Sequence, residues 1–198
     1  MDVTMQAVTP VAITFPLEHL IFLKEENSKM YTINEYFISR NLIEVPYMLL
    51  IPAIFILISY WMIGLASTAE QFFTMYLILV LMSFAGTSAG IFIGSMTTNP
   101  KSVGNVLQAV LVPLLIFGGY YKNLSNIADW VIWIKFISPF TYIFTALVDN
   151  EAKYKPSHVA DLNFDVSMWV AILLIFLIGV AFRVGAYILL CCRRGKLQ

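Results

Sequence analysis

The sequence predicts an all-α integral membrane protein, and two observations carry that prediction. Of its 198 residues, 60% are hydrophobic and 12% charged, against ~25% charged in a soluble domain, and the mean hydropathy is +0.80. That leaves too little polar surface to cover a water-facing globule. The apolar residues also gather into runs long enough to cross a hydrocarbon core, which takes ~20 residues of helix. Full spans are expected at about Val45–Leu65, Phe72–Met96, Val103–Tyr121 and Val166–Leu190. Ile127–Val148 is long enough but broken, because it carries Asp129, Lys135 and Pro139. Interrupted backbone survives at membrane depth only where protein or a watery cavity satisfies its polar groups. Val3–Phe15 is apolar but too short, and reads as the tail of a span.

Charge placement sets the expected orientation, since cytoplasmic loops are enriched in Lys and Arg. Lys24, Lys29 and Arg40 precede the first span, Lys101 follows the second, and Arg193, Arg194 and Lys196 follow the last. Four crossings that start in the cytosol place all these clusters inside. The loop holding Lys122, Lys135, Lys153 and Lys155 against Asp129, Asp149, Glu151, Asp161 and Asp165 then lies outside. A fifth crossing at Ile127–Val148 would push the basic tail outside, so that segment is expected to be re-entrant on the outer side or to lie along the outer interface. No basic n-region with a short apolar core and cleavage site opens the chain, so a cleaved signal peptide is not expected.

Several residue patterns bear on function. Phe15–Arg40 mixes Leu17, Leu20, Ile21 and Phe22 with Glu18, His19, Lys24 and Glu25, which suits an amphipathic segment at the cytoplasmic face. It is either a membrane-surface helix or a docking element for a cytosolic partner. Gly86, Gly90 and Gly94 recur every four residues, so one helical face is open to close approach by another helix. An intramolecular contact is expected there rather than a dimer seam. Gln108, Val112 and Leu115 share a face by the i, i+4, i+7 rule. They are ordinary packing or they line a path, and helix chemistry alone favours packing. Gly118 and Gly119 end that span before Tyr120 and Tyr121. Arg183 is expected to mark the cytoplasmic boundary, its stem buried and its head snorkelling to water.

Other features exclude function classes. The formal net charge is zero, so bulk charge implies no nucleic-acid partner. His19 and His158 are isolated, and no His/Cys/Asp/Glu cluster has metal-ligand spacing. There is no nucleophile elbow, paired-carboxylate arrangement or dinucleotide fingerprint. Cys191 and Cys192 are adjacent, too constrained to bridge each other. They read first as small apolar residues ending a helix, and second as an S-palmitoylation pair. The sequon at Asn123-Leu124-Ser125 lies too close to the membrane for use.

FPLEHLIFLKE, then Glu44-Val45-Pro46, then SYWMIGL at Ser59–Leu65, resemble the membrane domain of the G subfamily of ABC transporters, the White and multidrug-resistance half-transporters. Trp130, Trp133, Ser138, Tyr142, Ala146-Leu147 and Asn150-Glu151 are similar to the pattern between that family's fifth and sixth spans, and Arg183 with Ala186-Tyr187 and Leu190 is similar to its last helix. The resemblance implies an ABC-2, or type-2 exporter, fold in which these spans are the third to sixth. Residues 1–15 would be the tail of a truncated span, 16–42 the cytoplasmic coupling region, and 43–198 the ABC-2 transmembrane domain. Glu18, His19, Phe22 and Glu25 would lie on the coupling helix, Gln108, Val112 and Leu115 on the substrate pathway, and Tyr120 and Tyr121 in the exit plug.

It further implies a nucleotide-binding domain with ATP and Mg, a second half-transporter and a hydrophobic small-molecule substrate such as a lipid, sterol or flat xenobiotic. The ATPase domain, first span and most of the second lie outside these residues, which hold no G-x-x-x-x-G-K-[ST] loop. The chain itself is therefore not expected to be an enzyme. Gln6 stands near the family's aromatic substrate clamp, the plug is Tyr-Tyr instead of two aliphatics, and the outer loop lacks cysteines. Two alternatives are a transport-incompetent fragment or regulatory partner of a full-length transporter, and a small four-span structural or channel-like protein.

Overall fold

A computed structural model describes residues 7–16, 18, 32–63, 69–97, 100–116, 138–152 and 167–194. Among these residues every element is α-helical. The helices are α1 (Ala7–Pro16), α2 (Ile33–Ile63), α3 (Ala69–Met96), α4 (Pro100–Ile116), α5 (Pro139–Ala152) and α6 (Met168–Arg194).

Hydroxyl residues mark three of the helix starts. Thr32 precedes α2, and its backbone N–H donates to Glu35 Oε2 at 2.6 Å, the Thr-x-x-Glu arrangement that satisfies an end amide with the side chain three residues on. Ser138 precedes Pro139, whose missing N–H and fixed φ suit a first helical position. Ser167 precedes Met168, and its backbone carbonyl accepts from the Ala171 amide at 3.0 Å.

Segments of α2, α3 and α6 (Ile33–Tyr60, Ala69–Met96 and Met168–Cys192) are long and apolar enough to cross a membrane. The expected span at 45–65 therefore starts much earlier. The second half of the expected amphipathic segment is not a separate surface helix but the opening turns of α2. At ~1.5 Å per residue α2 is about 46 Å long, more than a hydrocarbon core of ~30 Å. The expected span at 103–121 appears as the shorter α4, and residues 117–121 lie outside the described residues.

Helix α3 is the hub. Of its apolar window 72% is buried, against 22% for α2 and 17% for α6. Helices α3 and α6 run parallel, since Phe84 stacks on Phe176 and, further along both helices, Phe92 meets Phe182. Tyr60 near the end of α2 meets Phe72 near the start of α3, so those two form an antiparallel pair. Helix α5 reaches from α4 to the start of α3. Ser138 Oγ donates to the Leu114 carbonyl at 2.8 Å, while Asn150 and Gln71 exchange side-chain amide to backbone carbonyl bonds, both 3.3 Å. Between these ends Tyr142, Ile143 and Ala146 join the core of Ile78, Leu79 and Met82. With 14 residues, about 21 Å of helix, α5 is too short to cross. It covers the later part of the expected re-entrant stretch, and residues 127–137 lie outside the described residues.

The small-residue face of α3 receives α1. A Cβ on Gly90 would stand 2.9 Å from the Val8 carbonyl oxygen, and one on Gly94 would stand 3.0 Å from Phe15 Cβ and 3.1 Å from the Ala12 carbonyl oxygen. Gly86 is buried on the same helix. Val8 and Ala12 also pack with Ile93, Val103, Leu107 and Leu111, so α1 is wedged between α3 and α4. Gly90→Leu should destabilise the fold by about 2 kcal/mol, an overpacking cost raised because the obstructing atom is backbone. Gly104, with nothing within 4 Å of its would-be Cβ, is the matched control. Equal thermal midpoints for Gly90→Leu and Gly104→Leu in detergent would show that α1 does not occupy this face.

Candidate functional site

Helix α2 carries Arg40 and Glu44 four residues apart, with Asn41 beside them, so a polar patch continues onto the side that bears Met48. Glu44 is 5% exposed. Charged groups at such depth persist only when paired, and here they are. Arg40 Nη1 contacts Glu18 Oε1 at 2.6 Å, and Arg40 Nε lies 3.4 Å from Glu44 Oε1. Arg183 Nη2 reaches Glu44 Oε2 at 3.4 Å from α6. Two acids and two bases form one neutral chain from residue 18 through α2 to α6.

Neutral groups complete the arrangement. Arg40 Nη2 donates to Thr14 Oγ1 at 3.1 Å. Arg183 Nε donates to Ser88 Oγ at 3.0 Å and Nη1 donates to Asn41 Oδ1. Ser88 Oγ donates to the Phe84 carbonyl at 2.6 Å, and Asn41 Nδ2 donates to the Phe37 carbonyl at 2.6 Å. The Arg183 guanidinium also lies 4.6 Å over the Phe84 ring, a cation–π contact strengthened by burial. Arg183 thus points inward to α2 and α3, and the snorkelling expectation is corrected. Acceptors on two neighbouring helices replace water as its partners.

A cavity of about 400 Å³ opens beside this chain, between α1, α2 and α3. Val11, Ile43, Met48 and Ile51 supply apolar wall, while Arg40, Glu44, Ser83 and Thr87 supply a polar end. Ser83 Oγ has no hydrogen-bond partner among the described residues, and Glu44 Oε1 has the ion-pair contact with Arg40 Nε but no hydrogen bond among them. Polar atoms turned into a cavity of this size can be satisfied by water or by a polar group of a ligand.

The residues expected to line a pathway are split by the structure. Gln108 and Val112 are exposed on the outer face of α4, whereas Leu115 is half-buried and packs at the edge of the Val103, Leu107 and Leu111 seam. A second cavity of about 280 Å³ lies on another side of α4, bounded by Phe92, Val110, Pro113 and Phe182. Of the expected coupling residues, Glu18 is in the charge chain, and His19, Phe22 and Glu25 lie outside the described residues, as do Tyr120 and Tyr121. Among the described residues no group of three or more His, Cys, Asp or Glu could hold a metal ion.

Sequence reading missed the Glu44–Arg183 pair and Asn41. One acid and one base, each set in an apolar run, were the available signal, because ionisable residues inside a membrane pair with one another.

This helical membrane architecture coincides with a match of residues 1–152 to the ABC-2 type transporter family. The chain belongs to the ABC-2 type transporter family. It is 28% identical to Protein white of Ceratitis capitata over 98% of this chain and 32% of that protein. It is 28% identical to Protein white of Drosophila melanogaster over 80% of this chain and 23% of that protein. It is 30% identical to ABC transporter G family member 1 of Dictyostelium discoideum over 77% of this chain and 20% of that protein. This ABC-2 chain therefore spans about a third or less of the length of these relatives, which are White and G-family proteins.

Proposed function

We propose that the chain is the C-terminal part of the membrane domain of a G-subfamily ABC exporter. It moves a hydrophobic small molecule, such as a lipid, sterol or flat xenobiotic, by alternating access. The observation that carries this reading is the neutral charge chain. Through Arg40 it ties Glu18, in the region similar to the coupling helix, to Glu44, and through Arg183 to α3 and α6. Movement imposed on the cytoplasmic segment thereby reaches the helices at membrane depth. The nucleotide-binding domain and a second half-transporter are partners beyond these residues, and no residue here is assigned to nucleotide or Mg. Bound ligand shifts the equilibrium only through its differential affinity for the two states.

Orientation follows the same reading, with the N-terminal region and the C-terminus cytoplasmic. Parallel α3 and α6 require an odd number of crossings between them, which α4 supplies if α5 returns on the outer side. Gln108 and Val112 lie on a face that the single chain leaves open, which suits a pathway completed by the second half.

The test is vesicle transport by the full-length assembly. Gln108→Leu should change the ratio of rates for two hydrophobic substrates several-fold, because a hydrogen bond from its amide to one substrate and not the other would be worth about 1 kcal/mol. Unchanged ratios for every substrate pair would remove Gln108 from the pathway. ATP hydrolysis above background by the purified 198-residue chain would overturn the whole reading.

A further inference from the structure

The two cysteines lie on an exposed side of α6. Ala171, Ile175, Gly179, Ala186 and Leu190 are buried against the other helices. Opposite them Leu173, Leu177, Ala181, Val184 and Ile188 are exposed, at spacings of three and four that trace one stripe. On a helix at ~100° per residue, Cys191 and Cys192 fall on either side of the line through that stripe. Both are exposed free thiols. They are also the final residues of the apolar window Met168–Cys192, and Arg193 and Arg194 follow at once. Both thiols therefore sit at one end of an exposed apolar stripe, just before a cationic boundary.

We propose that Cys191 and Cys192 are S-acylated by long-chain fatty acyl groups. This rests on the cytoplasmic orientation of the C-terminus given above, since acyl-coenzyme A is a cytosolic donor. The thiolate Sγ attacks the thioester carbonyl of the acyl-coenzyme A, in the active site of a membrane acyltransferase. A new S–C(acyl) bond forms, the coenzyme A S–C bond breaks, and the cysteine proton leaves with coenzyme A as its thiol. Nothing is oxidised or reduced. The acyl chain then runs back along Ile188, Val184 and Leu177 into the bilayer, so the exposed stripe becomes its binding surface. The tethered turn is the one after Tyr187, whose hydroxyl donates to Asn34 Oδ1 at 2.7 Å and whose ring meets Phe37 edge-on. Acylation would thus fix the interfacial end of the α2–α6 contact.

The experiment is acyl exchange on the full-length protein extracted from cells. Free thiols are blocked, thioesters are cleaved with hydroxylamine, and the released thiols are labelled with a mass-tagged maleimide. Hydroxylamine-dependent mass steps that disappear in C191S/C192S are expected, with one step fewer in each single variant. No hydroxylamine-dependent step, or steps that persist in the double variant, would overturn the proposal. A tag at Gln198 read in intact cells separates the two readings. A tag reached from outside overturns the orientation, and an inside tag with no thioester overturns acylation alone.

Discussion

Arg183→Met is expected to destabilise the folded membrane domain by about 3 kcal/mol. Removing one partner of a buried ion pair typically costs 3–5 kcal/mol, because the other charge is left uncompensated. The low end applies here because Glu44 keeps Arg40 Nε at 3.4 Å. The loss is broader than one pair, however. Asn41 Oδ1 and Ser88 Oγ both lose their guanidinium donor, and the Phe84 face loses its cation. Arg183→Lys should not restore stability. An ammonium is a point charge with no planar fork to span acceptors on two helices while lying over a ring. Equilibrium unfolding in mixed detergent measures the effect. Combining Glu44→Gln with Arg183→Met should cost clearly less than the sum of the two singles, since contacting charges couple by 0.5–3 kcal/mol. Strict additivity, or an Arg183→Met variant within about 0.5 kcal/mol of the parent, would reduce the charge chain to a geometric coincidence.

The same residues show how far the sequence could be read. The long apolar helices were legible because a run of ~20 apolar residues has few other uses, and helices α3 and α6 begin and end close to where hydropathy places them. The start of α2 was not legible. Arg40, Asn41 and Glu44 look like water-facing residues in a linear reading, and only partners far along the chain make them tolerable inside a bundle. Arg183 lies 139 residues from Glu44, so no local pattern could join them. The glycine spacing on α3 disclosed a close approach, but not that α1 makes it. For α4, the i, i+4, i+7 rule linked Gln108, Val112 and Leu115 without saying which way the helix turns. Its seam runs through Val103, Leu107 and Leu111. Leu115 is four residues beyond Leu111 and three beyond Val112, so it falls between the seam and the open face.

Gly179 was equally invisible, since no repeat announces it, yet Gly179→Ala should cost about 2 kcal/mol. A Cβ there would lie 2.5 Å from Phe84 Cε1 and 2.7 Å from Cδ1, well inside contact distance, and one methyl is enough to overpack. Whether the ring can yield decides the size of the effect. Phe84 is stacked on Phe176 at 5.6 Å and 18°, with the Arg183 guanidinium 4.6 Å above it. A shift of the ring therefore disturbs the charge chain as well. Gly185 supplies the contrast on the same helix. Its Cβ would meet Phe92 at 3.0 Å, but Phe92 and Phe182 border the cavity of about 280 Å³, so that ring has room to move. Gly185→Ala should fall below 1 kcal/mol. Phe84→Leu should recover part of the Gly179→Ala loss by removing the obstructing ring atoms. In an Arg183→Met background Gly179→Ala should cost less than in the parent, because the ring is no longer held beneath a cation. Equal losses at Gly179 and Gly185, unaffected by the Arg183 background, would mean that the α3–α6 seam and the charge chain are independent structures.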